Sequence, residues 1–366
     1  MKNNMRFVIS GGGTGGHIFP AIAIADALKR RIPDAEILFI GAKGRMEMER
    51  VPKAGYPIEG LWISGFTKDL SVLSLPFKLI SSLTKARHIL KKFKPDAVIG
   101  VGGFASGPTL KAANWLNIPT FIQEQNSYPG KTNRNVGKKA RAICVAYNGL
   151  EQWFSKDKIH FTGNPLRGNI NGNCDRNEAA SFFGLKANQP VVLLVGGSQG
   201  ALGINKGITA QLGKLRQGDT QLIWQTGQFY FEQALKEVKE LGLKDKVKPM
   251  VFIDRMDLAY SLADVVISRA GAMSISELAL VQKPVIFVPL PTAAEDHQTK
   301  NAKQLVDAGA AIMVKNGEAD IKLIPTLLEL LQDKEKQETM KANIAQFARP
   351  NAADDIVDII IKGIEK

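Results

Sequence analysis

Two glycine-rich turns define the chemistry this sequence can carry. The first, Gly11-Gly12-Gly13-Thr14-Gly15-Gly16, follows the apolar run Phe7-Val8-Ile9-Ser10 and leads into the helix-periodic segment Ile18–Leu28. The second, Gly196-Gly197-Ser198-Gln199-Gly200, follows Val191–Val195 in the same way. A glycine turn that opens a helix presents unpaired backbone N–H groups, and the helix dipole adds positive potential, so each turn suits a phosphate. Gly11, Gly13 and Gly16 also satisfy G-x-G-x-x-G, the dinucleotide fingerprint. The second strand ends at Phe39-Ile40-Gly41 with no acidic residue to take a ribose hydroxyl pair, which favours anion binding over a dinucleotide. His17 follows directly. It either packs and caps the helix start or, titrating near neutrality beside an anion, acts as a general base.

Two further segments carry polar groups at the ends of apolar runs. Arg269-Ala270-Gly271-Ala272-Met273-Ser274-Ile275-Ser276-Glu277 follows a buried strand and opens a helix. Ser274 and Glu277 fit a capping box; equally, the Glu277 carboxylate can accept both hydroxyls of a ribose. Glu295-Asp296-His297-Gln298-Thr299-Lys300-Asn301 follows the run ending at Pro289-Leu290. It is either a solvated loop or, at the carboxyl end of a parallel strand, a ligand loop whose amides suit sugar hydroxyls. No D-x-D pair is present to hold a sugar diphosphate through a divalent cation, so no metal and no cofactor are expected. Helix N-termini and arginines must do that electrostatic work.

The elements that position these groups alternate short apolar runs with longer amphipathic segments, the pattern of parallel α/β folds. Strands are expected at Arg6–Ser10, Glu36–Ile40, Ala97–Gly100, Thr120–Gln123, Ala142–Val145, Val191–Val195, Gln221–Gln225, Val265–Ser268 and Val285–Val288. The strand–glycine turn–helix opening occurs twice, which predicts two Rossmann-like domains facing across a cleft. Gly163-Asn164-Pro165 marks the boundary, giving domains over 1–163 and 164–349, with Arg167–Arg176 as a surface loop. The segment from about 350 to 366 has helical spacing at Ile356, Ile359, Ile360 and Ile364 and is expected to pack back on the first domain. Gly363 weakens its last turn.

A chain of 366 residues exceeds what one core usually serves. Its apolar runs are strand-length, far short of the roughly 20 residues that span a bilayer. Nothing resembles a signal-peptide core, so a cytoplasmic location is expected. Cys144 and Cys174 have no metal-ligand spacing and fit a reducing compartment. The net charge of +13 attracts polyanions. No aromatic-studded basic platform points to nucleic acid. Leu70–Pro95 instead contains Lys78, Lys85, Arg87, Lys91, Lys92 and Lys94 with no acidic residue. Leu79, Leu83, Ala86 and Leu90 make one core-facing stripe. Leu73, Leu75, Phe77 and Ile80 remain over, a basic and apolar surplus that suits docking on an anionic membrane surface.

Taken in order, Gly12–His17, Gly102-Gly103-Phe104-Ala105-Ser106-Gly107-Pro108, Gln123-Glu124-Gln125-Asn126, Gly163–Arg167, Gly196–Ala201, Arg269–Glu277 and the Gln298 loop resemble the MurG family over nearly the whole chain. The resemblance implies a GT-B fold. It also implies inverting transfer of N-acetylglucosamine from UDP-GlcNAc to the C4 hydroxyl of undecaprenyl-pyrophosphoryl-MurNAc-pentapeptide, at the cytoplasmic face of the membrane. Carried over residue by residue, Thr14, Gly15 and Gly16 match a substrate-binding loop and Asn126 a sugar contact. Arg167 and Ser198 match phosphate or nucleotide contacts, and Ile253 a backbone contact to uracil. Ala272, Met273, Ser274, Ile275, Ser276 and Glu277 match the nucleotide-binding helix start, and Gln298 a donor-sugar contact. His17 is the candidate base. Phe104 stands where Tyr is common in the family.

Overall fold

The apolar runs become the inner strands of two all-parallel sheets. The computed structural model describes residues 4–63, 75–168, 170, 172–197, 200–293 and 296–365, with the side chains of Leu75 and Pro76 excepted. The chain divides into two compact units, Met1–Arg167 with Arg349–Lys366, and Gly168–Ala348.

In the first unit the strands are β1 (Arg6–Ser10), β2 (Glu36–Ala42), β3 (Ile58–Leu61), β4 (Ala97–Gly100), β5 (Thr120–Glu124), β6 (Ala142–Val145) and β7 (Ile159–Phe161). They lie in the order β3-β2-β1-β4-β5-β6-β7. The second unit has β8 (Val191–Val195), β9 (Gln221–Gln225), β10 (Val247–Met250), β11 (Val265–Ser268), β12 (Val285–Phe287) and β13 (Ile312–Met313), in the order β10-β9-β8-β11-β12-β13. The direction of strand progression reverses between β1 and β4, and again between β8 and β11. Loops leaving the carboxyl ends of those pairs diverge and open a crevice, the usual ligand position in such sheets. Both glycine turns fall there. The strands not anticipated from sequence, β3, β7, β10 and β13, are all outermost and only partly buried. An edge strand has solvent on one side and needs no continuous apolar run.

Helix α1 (Gly15–Arg31) buries Ile18, Ile22, Ile24 and Leu28 against the first sheet. The last helix, α14 (Ala352–Glu365), adds Ile356, Val357, Ile360 and Ile361 to the same core as Phe7 and Ile9. Exposed ion pairs Arg30–Asp354 at 2.9 Å and Arg31–Asp358 at 3.4 Å flank α1 and α14, each worth at most about 1 kcal/mol. Gly363 does not weaken the last turn. A Cβ there would lie 2.5 Å from the Phe121 ring, so glycine is what lets α14 lie flat on β5.

Three expectations need correction. The turn Gly163-Asn164-Pro165 lies inside the first unit: buried Asn164 accepts from Gln123 Nε2 and donates to the Gln125 carbonyl, which ties it to β5, and the break comes after Arg167. Ile170, assigned to a surface loop, sits in the second core; Asn169 and Asn171 lie outside the described residues. In α3 (Leu75–Phe93) the buried stripe is Ser82, Ala86, Ile89 and Leu90. Leu79 is instead exposed with Phe77 and Ile80. The stripe follows the side of the helix that meets β3 and α4 (Ser106–Trp115), not the richest apolar spacing. Leu70 and Leu73 lie outside the described residues.

Candidate functional site

In the first unit, the loops after β1 and β4 and the segment after β5 surround a cavity of about 550 Å³. Gly12, Gly13, Thr14, His17, Phe104 and Asn126 line it, with Arg45, Lys111 and Lys131 supplying positive charge. Thr14 is the N-cap of α1, but its hydroxyl does not cap; Oγ1 lies 3.4 Å from His17 Nδ1. The imidazole rests against Gly102 (φ +91°), where a Cβ would come within 2.8 Å of His17 Cδ2. Burial holds the imidazole below its ordinary value, with the Gly12 backbone and the Glu47 carboxylate pulling the other way. His17 is therefore neutral at pH 7, the form that accepts a proton.

The carboxyl end of β5 carries a buried carboxylate. Glu124 accepts from Asn126 N (3.0 Å), Asn126 Nδ2 (3.3 Å), Gly130 N (3.1 Å) and Asn133 Nδ2 (2.9 Å). Burial pushes its carboxyl upward and these donors restrain the shift. The contacts hold Asn126 at the cavity wall. Asn133, which sequence reasoning missed, lines the same cavity and has a buried Oδ1 with no hydrogen-bond partner among the described residues. Such an acceptor is satisfied by a ligand hydroxyl or amide. Arg167 stacks its guanidinium 4.3 Å from the Phe19 ring of α1, and its Nε is also buried without a partner among the described residues.

In the second unit the turn after β8 needs its glycines. Gly200 has φ +80°, and a Cβ there would lie 2.1 Å from the Thr226 carbonyl oxygen. Ser198 and Gln199 lie outside the described residues. Gln225, at the end of β9, accepts from Ile253 N at 3.1 Å and donates to the Gly197 carbonyl at 2.8 Å, linking the glycine turn to Ile253. No local pattern marked Gln225.

Helix α10 (Ala272–Val281) begins after Gly271, so Ser274 sits inside the helix and no capping box forms. The amides of Ala272, Met273 and Ser274 occupy its first turn. Ile275 does not face this end: its side chain is in the core and its amide donates to the Gly271 carbonyl. Ser276 bonds back to the Ala272 carbonyl. Glu277 Oε2 accepts from the Tyr260 hydroxyl at 2.9 Å. Arg269, pushed down to about 10 by burial, is spent on the carbonyls of Val288 and Pro289 and on Asn316 Oδ1, bracing neighbouring loops. In α11 (His297–Asp307), Gln298 Oε1 accepts from Leu290 N at 3.0 Å and buried Asn301 donates to the Ala270 carbonyl. Among the described residues, no group of three His, Cys, Asp or Glu side chains is arranged to hold a metal.

Residues 7–145 match the model of the glycosyltransferase family 28 N-terminal domain, and residues 191–356 that of its C-terminal domain. The UDP-N-acetylglucosamine–N-acetylmuramyl-(pentapeptide) pyrophosphoryl-undecaprenol N-acetylglucosamine transferase of Flavobacterium psychrophilum is 53% identical over 363 residues, spanning 98% of both chains. This chain belongs to the MurG family. The MurG relative of Porphyromonas gingivalis is also 53% identical, over 99% of this chain and 96% of its own. The crystal structure of Acinetobacter baumannii MurG aligns with a TM-score of 0.74 at 30% identity, covering 98% of this chain and 99% of that one. The MurG fold is GT-B, and the two parallel sheets here are its two Rossmann-like domains. A UDP-GlcNAc 2-epimerase from Neisseria meningitidis aligns with a TM-score of 0.67 at 16% identity, over 98% of this chain and all of that one, a likeness of fold alone.

Proposed function

We propose that this chain transfers N-acetylglucosamine from UDP-GlcNAc to the C4 hydroxyl of MurNAc in undecaprenyl-pyrophosphoryl-MurNAc-pentapeptide, forming lipid II from lipid I in peptidoglycan synthesis. The observation that carries this is 53% identity to the named transferase across essentially its full length. The acceptor oxygen attacks the anomeric carbon on the face opposite UDP, the bond to the diphosphate oxygen breaks, and configuration inverts. His17 takes the hydroxyl proton.

Each unit handles one substrate. In the second, the first-turn amides of α10 and Ser198 receive the diphosphate, and the charge that develops on departing UDP meets a helix N-terminus. Glu277, held by Tyr260, takes the ribose hydroxyls. Ile253 has given its amide to Gln225, so its contact to uracil falls to its carbonyl. The Gln298 carbonyl oxygen is engaged with Leu290 N, which leaves its NH₂ for the donor sugar. In the first unit, Thr14 and the Gly15 and Gly16 amides meet the acceptor pyrophosphate, and Asn126 the sugar. Arg167 adds positive charge for phosphate.

The chain works as a peripheral protein on the cytoplasmic face of the membrane. No helix among the described residues is long and apolar enough to cross a bilayer. Phe77 is 70% exposed, Ile80 63% and Trp62 52%, with Lys78 5.8 Å from the Trp62 ring and Lys91 and Lys92 exposed on the same helix as Phe77 and Ile80. Exposed apolar side chains among cations suit an anionic lipid surface.

The deciding experiment is transfer of labelled GlcNAc from UDP-GlcNAc to a lipid-linked MurNAc-pentapeptide, with and without EDTA. Transfer that survives EDTA is expected. Transfer abolished by EDTA overturns the account of UDP departure at a helix N-terminus. Folded protein that binds UDP-GlcNAc but transfers nothing overturns the acceptor.

A further inference from the structure

Glu47 opens α2 (Glu47–Lys53), and only 1% of it is exposed. Its two oxygens hold two different loops: Oε2 accepts from Gly13 N, after β1, and Oε1 accepts from Ala42 N, at the end of β2, both at 2.9 Å. The backbone closes around it. A Cβ on Gly12 would lie 2.2 Å from Oε1, and one on Gly41 2.5 Å from Cγ. Gly12 is in turn covered by Gly103, where a Cβ would lie 2.3 Å from the Gly12 carbonyl oxygen, and adjacent Gly102 abuts the His17 ring. Among the described residues, no cation pairs with Glu47. A buried carboxylate without a cationic partner is retained only where hydrogen-bond donors satisfy its oxygens. A glutamine of the same shape would meet the same two N–H donors with one acceptor and one donor. The position thus needs two acceptor oxygens, and their charge lies beside the glycine turn.

We propose that Glu47 is a positioning residue for the transfer reaction, clamping the Gly12-Gly13 turn under the loop after β4 and stabilising His17 as it takes the acceptor's proton. The proton passes from the acceptor hydroxyl to the imidazole, and Glu47 takes no part in the transfer itself. The same clamp turns the Gly13 amide inward, so pyrophosphate is met by the α1 amides beyond it. The inference rests on His17 as the base. The Glu47 charge raises the proton affinity of His17 against the effect of burial, in keeping with this role.

The test is Glu47→Gln, with Glu47→Asp as a second variant that keeps the charge. Four readouts are needed: turnover against pH, UDP-GlcNAc affinity by calorimetry, melting temperature, and the His17 titration by NMR of histidine-labelled protein. His17 is one of four histidines, and its signal is assigned with His17→Ala. For Glu47→Gln we expect turnover to fall about tenfold or more with donor affinity retained. The His17 midpoint and the acid limb of turnover should both move to lower pH, because a negative charge has been removed. Glu47→Asp should recover part of the midpoint shift. Unchanged turnover with an unmoved midpoint overturns the proposal. So does a drop in melting temperature and donor affinity together with the midpoint unmoved, which marks a purely structural residue. Wild-type turnover in His17→Ala removes the base reading itself, and that result is independent of either Glu47 variant.

Discussion

The hydroxyl of Tyr260, from α9 (Met256–Leu262), donates to Glu277 Oε2 in α10 at 2.9 Å. Tyr260 is buried in the second core, so the carboxylate is anchored to the interior of its unit and not merely displayed on a helix. Glu277→Ala should weaken UDP-GlcNAc binding about 10- to 100-fold, the cost of a charged hydrogen-bond acceptor to two hydroxyls. Tyr260→Phe should weaken it less, by about fivefold, or ~1 kcal/mol. Calorimetric titration with UDP-GlcNAc measures both. Intact donor affinity alongside a lowered melting temperature would assign Glu277 to helix stability alone.

His17 leads to a pH prediction. Burial lowers its proton affinity, so the neutral base persists below the ordinary imidazole value of 6.5. Turnover should stay level as pH falls through 6.5 and decline only below it, and the acid limb should vanish in His17→Ala. That variant should lose about 10²- to 10⁴-fold in turnover while UDP-GlcNAc affinity stays put. A limb that survives the substitution would belong to some other group.

Gly102 combines a φ of +91° with contact against His17. Gly102→Ala therefore faces backbone strain of about 1–2 kcal/mol and pushes on the imidazole. We expect a modest loss of melting temperature and a disproportionate loss of turnover, with UDP-GlcNAc affinity unaltered. Turnover at the wild-type level would show that the ring tolerates displacement.

Co-sedimentation with vesicles checks the membrane surface. Phe77→Ser with Ile80→Ser should reduce binding, and Lys78→Gln, Lys91→Gln and Lys92→Gln should reduce it further on anionic vesicles, by about 1 kcal/mol per cation. Lys85 is a poor target, because it bonds Glu59 at 3.2 Å and the Gly60 carbonyl at 2.9 Å. Binding unaffected by either set would refute docking through α3.

Much of this protein is legible before folding. Inner strands of a parallel sheet are buried on both faces, so Val191–Val195 and Val265–Ser268 are continuous apolar runs that read without any tertiary knowledge. The glycine turns read equally well, because their spacing between strand and helix is local, and the ordered motifs identify the family. Contacts between residues distant in sequence have no such local signature. Asn133 and Gln225 matter because the topology brings them beside loops that precede or follow them by many residues. Ser274 and Glu277 have the spacing of a capping box, yet the helix begins at Ala272, because the turn after β11 ends at Gly271. Composition marks α3 as basic and apolar, but only its packing decides that Leu79 joins the exposed side chains. Gly363 reads locally as a helix breaker and structurally as room for Phe121. By itself the sequence determined which segments are inner strands, which turns suit an anion and which family they make. Tertiary structure alone decided where each hydrogen-bonding group points, because a buried carboxylate such as Glu47 takes its partners from whatever backbone the fold delivers to it.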